Sequence, residues 1–369
     1  MTDPGPFQPR TPPMVEGDPV VEWLLQGDPA IRWQVRRDLL DAPEAEVLTE
    51  RSRVEHEGWG ARLLALRAAD GLWADGACFP GTAAFAADTA RALAAGEPPP
   101  PWPSPDPEPG EVATDAGDEP GQPWTATYRA LLDLCDLGVP PDSPVMQETA
   151  RLVACNCRWE CDGLPFFAGE EDCCINAGTI LIGTYLGVDV EPVVERLLAD
   201  QMPDGGWNCW ARTRPAPSSF ASTLDVVDAL LTWERRCGGS EEVRRARRNG
   251  EEYLLRRKLH RSLRTGEVVN PEWTLFSHPP RWHYDLLKAT EYFARRGGPP
   301  DPRLTEAIER VRAKRRPDGR WLLENSHPGA VHFRFEEPDG TPSRWNTLRA
   351  LRVLRWYDGS VQPGVLAGN

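Results

Sequence analysis

The chain has 369 residues and a formal net charge of −14. This excess of acid argues against nucleic acid or an anionic membrane surface as a partner, because binding to phosphate needs clustered Lys and Arg. No stretch reaches the ~18 apolar residues of a membrane span, and the N-terminus lacks the apolar core of a signal peptide. We therefore predict a cytoplasmic protein whose nine cysteines are thiols, metal ligands or buried apolar residues rather than a disulfide framework.

The two ends of the chain and one internal segment differ in composition from the rest. Residues 1–18 are rich in proline and predict a loose N-terminus, whereas residues 19–57 predict an N-terminal helical hairpin with two Asp-Pro start signals. Residues 97–123 consist mainly of Pro, Gly and acidic residues. Such a composition cannot build a core, so it predicts a flexible insertion, and residues 358–369 form a C-terminal tail.

A short sequence motif recurs between residues 58 and 357. Its fullest copy is QMPDGGW at Gln201–Trp207, which follows one helical pattern and precedes another. Weaker copies, each with an Asp-Gly pair, end at Trp73, Phe167 and Trp321. Turns of this composition at intervals between helices are typical of an array of helical hairpins. We predict an all-α fold with little sheet, because no stretch alternates convincingly between apolar and polar residues.

The second helices of the predicted hairpins begin with similar sequences, PPRWHYDLLKA from Pro279 and TPSRWNTLRAL from Thr341. If these helices form an inner ring, their N-termini open at one mouth, where helix dipoles attract anions. Two arginines there would bind a carboxylate or phosphate, or would pair with acids such as Asp285 or Glu337. The residues predicted at this mouth are Trp124, Asp172, Cys173, Cys174, Cys209, Phe220, Arg281, Trp282, His283, Arg344, Trp345 and Asn346.

QMPDGGW resembles the Gln-Trp motif of squalene and oxidosqualene cyclases, and the hairpin array is similar to the α/α toroid that those cyclases share with protein prenyltransferase β-subunits. The resemblance covers residues 58–357. It implies inner and outer rings of helices around an apolar cavity with aromatic walls, and an enzyme that acts on a small apolar, isoprenoid-like molecule. The acid motif of the protonating cyclases is present only in its last part, Asp88-Thr89-Ala90.

The resemblance also implies zinc. Asp172-Cys173-Cys174 is similar to the Asp-x-Cys element with which the prenyltransferase β-subunit binds Zn²⁺. The family's histidine would lie near residues 219–223, where this sequence has none, and Cys209 and His283 are the available substitutes. The implied ligand set is therefore Asp172, Cys174, Cys209 and His283, either closed or with one position open for substrate.

The implied roles follow from this arrangement. Two alternatives stay open, a non-catalytic toroid that binds a lipid or peptide, and zinc-dependent thiol chemistry on a peptide as in lanthipeptide cyclases. The cysteines and His283 could instead be ordinary buried thiols and a histidine bonded to backbone. The predicted catalytic residues are Asp172, Cys174, His283, Arg281 and Arg344. The predicted substrate-binding residues are Trp124, Phe220, Trp282, Trp345 and Asn346.

Overall fold

The structure is a computed structural model that describes residues 12–79, 124–160, 163–212 and 215–360. The predicted insertion at 97–123, the Asp88-Thr89-Ala90 segment and most of the predicted tail lie outside these ranges. In the described ranges the chain is mostly helical, in agreement with the predicted all-α class. None of the helices in these ranges is both long and apolar enough to cross a membrane.

The helices begin where the local sequence supplies caps. Asp18 Oδ1 accepts a hydrogen bond from the Val20 N–H at 2.8 Å, and Asp28 Oδ1 accepts one from the Ala30 N–H at 2.9 Å, with proline following each aspartate. The two predicted Asp-Pro helix starts are therefore confirmed. The α-helices before residue 80 are α1 (Pro19–Leu25), α2 (Pro29–Asp38), α3 (Glu44–Ser52) and α4 (Gly58–Ala65).

The later helices come in hairpins with short connectors in the middle of the chain and longer connectors towards its end. The only ladder longer than one residue pair in the described ranges joins β1 (Trp321–Leu322) to β2 (Pro342–Ser343), antiparallel. The α-helices are α5 (Thr127–Leu137), α6 (Pro144–Asn156), α7 (Cys173–Leu186), α8 (Glu191–Ala199), α9 (Phe220–Cys237), α10 (Glu241–Arg256), α11 (Leu286–Arg296), α12 (Thr305–Ala313) and α13 (Arg344–Ser360).

The helices pack in an order that returns to its start. α5 packs against α7, α7 against α9, α9 against α11 and α11 against α13. α13 then packs against α2, α2 against α4, and α4 against α5. The helices between these in sequence pack on them, so that α8 contacts α7, α10 contacts α9, and α12 contacts both α11 and α13.

Ion pairs between buried or half-buried side chains join successive helices of this order. Each pair has its cation on one helix and its carboxylate on a neighbouring one, so charged side chains lie between α9, α11, α13 and α2 as well as apolar ones. The pairs and their N–O distances are Lys288–Asp225 at 2.7 Å, Arg349–Glu291 at 2.7 Å and Arg352–Asp38 at 2.5 Å.

Asp136 on α5 faces the same charged region. Its side chain has accessible surface, yet its pKa is raised to about 7, first by desolvation and then by the neighbouring charge of Asp133. The charges of Glu291 and Asp228 raise the pKa of Asp136 further, whereas Arg295 opposes the rise. Asp136 makes no ion pair with any residue that the structure describes.

This position predicts an unusual pH dependence. A carboxylate whose pKa is higher in the folded than in the unfolded state binds more protons when folded, so its ionisation destabilises the fold. We expect the ionisation of Asp136 to lower the free energy of unfolding of the wild type as the pH rises from 3.8 to about 7. Asp136→Asn should remove that loss and be the more stable protein at pH 8 in urea titrations. Equal stability of the two proteins across this pH range would contradict the placement of Asp136.

The recurring motif forms the same hydrogen bonds in three of its copies. In each copy the indole N–H of tryptophan donates to the carbonyl ten residues earlier, near the end of the preceding helix. The tryptophan backbone N–H donates to a threonine hydroxyl at the start of the following helix. The indole bonds are Trp73 to Leu63, Trp207 to Leu197 and Trp321 to Val311, at 2.9, 2.7 and 2.8 Å. The threonine acceptors are Thr127, Thr223 and Thr347, at 3.1, 3.0 and 3.0 Å.

Packing and backbone geometry also explain Gln201 and the two glycines, Gly205 and Gly206, of QMPDGGW. The Gln201 side-chain amide donates to the carbonyls of Gly205 and Ala246, both at 2.8 Å. Gly205 has a φ of 97°, which favours glycine, and a Cβ on Gly206 would lie 2.5 Å from the hydroxyl oxygen of Thr223. The Asp-Gly-Gly turn is therefore required by a left-handed backbone and by the close approach of α9.

Candidate functional site

Three cysteine side chains meet where α7 begins. Cys173 and Cys174 are the first two residues of α7, and Cys209 begins a 3₁₀ turn two residues after Trp207, the last residue of the QMPDGGW motif. The sulfur of Cys209 lies 3.1 Å from that of Cys174 and 3.6 Å from that of Cys173. The Ser222 hydroxyl oxygen lies 3.6 Å from the Cys209 sulfur. The structure therefore brings together two predicted site residues, Cys174 and Cys209, and adds Ser222.

The connector that carries Cys209 is held by its neighbours. Asn208 accepts a hydrogen bond from the Trp210 N–H at 2.9 Å and donates one to the Pro217 carbonyl at 2.6 Å. The Ser219 N–H donates to the Trp207 carbonyl at 2.8 Å. These bonds bring both ends of the connector against the first turn of α9, and so they place Cys209 opposite α7.

Electrostatics divide the three thiols into two kinds. Hydrogen-bonding contacts from Cys173 and Cys174 hold the pKa of the Cys209 thiol well below its usual range. The same contacts with Cys209, together with burial, raise the pKa of the other two thiols, and the nearby charge of Asp172 raises it further. These opposite shifts make Cys209 the thiol of the three that loses its proton most readily.

A cavity of about 130 Å³ opens beside the cluster. It is accessible to the Cys209 and Cys173 side chains, and two carboxylates face it. A small molecule or one end of a larger one could therefore reach the Cys209 sulfur. The lining residues are Glu171, Cys173, Asp200, Trp207, Asn208, Cys209 and Ala211.

The predicted ligand His283 belongs to a different group of side chains. Its ring is stacked between Trp282 at 3.8 Å and His327 at 3.6 Å, measured between ring centroids, and the edge of Trp124 lies 6.4 Å away. Burial lowers the pKa of His283 to about 2, with His327 and Lys288 adding to the effect. Both faces of this imidazole are thus covered by other rings, and the ring is neutral.

In the ranges that the structure describes, no group of three or more His, Cys, Asp or Glu side chains is arranged to hold a metal ion. The predicted set of Asp172, Cys174, Cys209 and His283 is therefore not assembled as a metal site. Asp172 stands at the N-cap position of α7 beside the cysteines. The donor chemistry of three thiols suits Zn²⁺, but their arrangement here does not.

Arg281 lies near His283, where it pairs with Asp133. Its Nη1 is 3.0 Å from both carboxylate oxygens, and its guanidinium lies 5.4 Å from the centre of the Trp124 ring. The residue has a φ of 54°, in the left-handed region that is strained for arginine. Of the two suggested acids, Asp285 instead accepts from the Lys288 N–H at the start of α11.

The remaining predicted residues lie in other surroundings. Arg344 donates to the Trp23 carbonyl of α1 at 3.2 Å, so it contacts the N-terminal helices. Trp345 is stacked on His278, with ring centroids 4.5 Å apart. The long connectors that enter α11 and α13 direct these side chains to separate packing clusters. Asn346 donates to the carbonyls of Phe276 and Leu322, and Phe220 packs against Tyr253, Trp273 and Tyr284.

Sequence reasoning missed a set of polar residues on the facing sides of α5, α9 and α11. They interrupt otherwise apolar helices at intervals of three or four residues, which places them on one face. That spacing is visible in the sequence and was the available signal. The missed residues are Tyr128, Arg129, Asp133, Asp136, Asp225, Asp228, Lys288 and Glu291.

Compared with known protein families, curated proteins and solved structures, the chain matches none.

Proposed function

We propose that this chain is a thiol-dependent enzyme built as an α/α toroid, with Cys209 as its nucleophile. The observation that carries the proposal is the position of the Cys209 sulfur, 3.1 Å from one thiol and 3.6 Å from another, beside a cavity. A thiolate is the nucleophilic form of cysteine, and enzymes activate it by lowering its pKa. The two neighbouring thiols have this effect on Cys209.

The toroid part of the proposal is supported by the packing order and by the repeats. The sequence of contacts from α5 through α7, α9, α11, α13, α2 and α4 returns to α5, as an inner ring requires. The three copies of the motif that end at Trp73, Trp207 and Trp321 join a preceding helix to a later one by the same hydrogen bonds. A closed ring would place the first turns of α5, α7, α9 and α11 at one end.

The substrate is best described as a polar molecule or peptide with an electrophilic group. The isoprenoid-like ligand implied by the resemblance has less support, because charged pairs such as Lys288–Asp225 lie between the helices where an apolar wall was expected. The aromatic residues Trp124, Phe220 and Trp345, predicted to line the cavity, are each buried in packing clusters.

The zinc implied by the resemblance stays a prediction. Two thiolates bound to one tetrahedral zinc at ~2.3 Å lie ~3.8 Å apart, so the three sulfurs would have to move outwards to hold it. Metal analysis of protein purified without an affinity tag tests this point. Stoichiometric zinc that is lost on Cys174→Ala would assign the cluster to zinc-dependent thiol chemistry, and its absence would leave Cys209 as a metal-free nucleophile.

Alkylation by iodoacetamide tests the reactivity of Cys209 directly. We expect Cys209 to react at least about tenfold faster at pH 7 than Cys237, although Cys237 is the more exposed thiol, because the pKa of Cys237 is raised and that of Cys209 is lowered. As the pH falls from 9 to 7, the rate at Cys237 should fall with its thiolate fraction, while the rate at Cys209 stays nearly constant. Peptide mapping by mass spectrometry separates the two sites.

Two variants serve as controls for this experiment. Cys173→Ser together with Cys174→Ser removes the thiols that stabilise the Cys209 anion, so the rate at Cys209 should become strongly pH-dependent. Cys155→Ser removes an exposed thiol elsewhere and should change nothing. Cys209 reacting no faster than Cys237 in the wild type would reject the nucleophile and favour a non-catalytic binding protein.

A further inference from the structure

Arg129 is a buried cation whose guanidinium has no acidic partner among the residues that the structure describes. It lies in the first turn of α5, its side chain belongs to a residue that is 5% exposed, and its Nε is buried without a hydrogen bond. Arg129 makes no hydrogen bond or ion pair with any residue that the structure describes. Arginine is almost never fully buried unless it is paired, and a cation in the first turn of a helix is also repelled by the helix dipole.

The charges around Arg129 leave it uncompensated. Both nearby carboxylates are already engaged, Asp133 with Arg281 at 3.0 Å and Asp225 with Lys288 at 2.7 Å. Within the set of Arg129, Arg281, Lys288, Asp133 and Asp225, three cations and two carboxylates leave an excess of one positive charge, since 3 − 2 = 1, and the next carboxyl along α5, Asp136, has a pKa raised to about 7. The rings of Trp124 and Tyr128 flank the Arg129 guanidinium at 5.2 and 5.1 Å from its carbon, but neither supplies a hydrogen-bond acceptor.

A second nitrogen close to this cation also lacks a partner. His327 Nε2 is buried without a hydrogen bond. Burial lowers the pKa of His327 to about 3, with the charges of Arg281, Lys288 and Arg129 adding to the effect. The ring is therefore neutral, and in one tautomer its Nε2 carries a hydrogen that no acceptor among the described residues takes up.

We propose that Arg129 binds a carboxylate group of the substrate. A carboxylate carries the single negative charge that the cluster lacks, and guanidinium binds it through two parallel hydrogen bonds. Phosphate and diphosphate bring more negative charge than the one uncompensated cation can balance.

This inference rests on the proposed function, because it assigns the carboxylate to the molecule on which Cys209 acts. Tyr128, the neighbour of Arg129, donates a hydrogen bond to the Ile175 carbonyl at 3.3 Å. Ile175 directly follows Cys174, so the first turn of α5 lies beside the thiol cluster. A substrate held by its carboxylate at Arg129 would extend towards the cysteines.

Thermal unfolding with small probes tests the carboxylate site. Benzoate should raise the midpoint temperature of the wild type in a concentration-dependent way, whereas benzamide, its neutral isostere, at matched ionic strength should not. Arg129→Met should unfold at the same or a higher temperature than the wild type without ligand, because it removes an uncompensated buried charge, and should show no benzoate effect. Equal stabilisation by benzamide, or a benzoate effect that survives in Arg129→Met, would overturn the proposal. A shift with inorganic phosphate but none with benzoate would overturn the choice of carboxylate.

A second measurement needs no arginine variant and separates this inference from the proposed function. Benzoate should slow alkylation of Cys209 in the wild type and leave Cys237 unaffected. Cys209→Ser should keep the thermal shift with benzoate, so an inert Cys209 with an intact shift would reject the nucleophile and retain the carboxylate site. Fast alkylation of Cys209 with no benzoate effect on either readout would reject the carboxylate site and retain the nucleophile.

Discussion

Glu291→Leu is expected to lower the free energy of unfolding by about 3–5 kcal/mol, because it removes the carboxylate that pairs with buried Arg349, while Arg352 keeps only its pair with Asp38. Glu291 on α11 lies 2.7 Å from the Arg349 guanidinium and 3.5 Å from that of Arg352. Both arginines are 5% exposed in their side chains, so water cannot replace the lost carboxylate. Urea titration at pH 7 measures the change.

Glu309→Leu is the matched control. Glu309 pairs with Arg312 on the same helix at 3.3 Å, but both side chains are exposed, so its removal should cost no more than about 1 kcal/mol. A similar cost for the two variants would mean that the Glu291 group is open to solvent.

Low pH gives a second readout of the Glu291 group. Burial raises the pKa of Glu291, but Arg349 and Arg352 outweigh burial and hold this pKa below its usual value. A carboxylate with a depressed folded pKa contributes stability above its unfolded pKa and loses that contribution as the pH falls through the folded pKa. The difference between wild type and Glu291→Leu should therefore be full above pH 4.5 and shrink below it.

These charged groups also bear on the kind of ligand that the protein binds. A chamber for a hydrocarbon needs apolar surface, because each buried charge there must be paired at a cost in desolvation. The charges of Arg281, Asp133 and Asp225 act on Arg129, which makes no ion pair with any residue that the structure describes. Such surroundings favour a ligand that brings its own charge, in line with a carboxylate-bearing substrate.

The all-α class and the helix starts were predictable because their signals are local. Asp-Pro at a helix start and Asp-Gly-Gly at a turn act within a few residues, and both form as expected at Asp28 and Gly205. The tryptophan bonds were not predictable in the same way. Trp73 bonds to Thr127, which is 54 residues away, and no local pattern encodes which threonine a given tryptophan will reach.

The site was predictable only in part. Cys174 and Cys209 are 35 residues apart and meet because one helical hairpin separates them, which the repeat pattern indicates. His283 follows a long connector whose path depends on distant contacts. Nearby, Trp124 donates its indole N–H to the Pro328 carbonyl, 204 residues away, and this contact helps to place the His327 segment over His283. The predicted four-residue zinc set required that path to be known.

Trp207→Ala is expected to destabilise the protein by about 3–5 kcal/mol, the usual cost of truncating a buried tryptophan. Trp207 is fully buried, and its indole N–H donates to the Leu197 carbonyl at the end of α8. Trp207→Phe keeps most of the volume and leaves that carbonyl without its donor, so it should cost about 1–3 kcal/mol. Urea titration of both variants separates the packing contribution from the hydrogen bond.

Trp233 provides the control, because it lies half-buried on α9. Trp233→Phe should therefore cost less than Trp207→Phe. If the motif is a repeated structural unit, Trp321→Phe should lower the free energy of unfolding by as much as Trp207→Phe. Trp321 makes the equivalent hydrogen bonds to Val311 and Thr347. A large cost at Trp207 with none at Trp321 would mean that the two copies share a sequence but not a role. Equal costs would show that each hairpin depends on its own tryptophan. The stability of a repeat array is approximately the sum of contributions from its repeats and from the interfaces between neighbours.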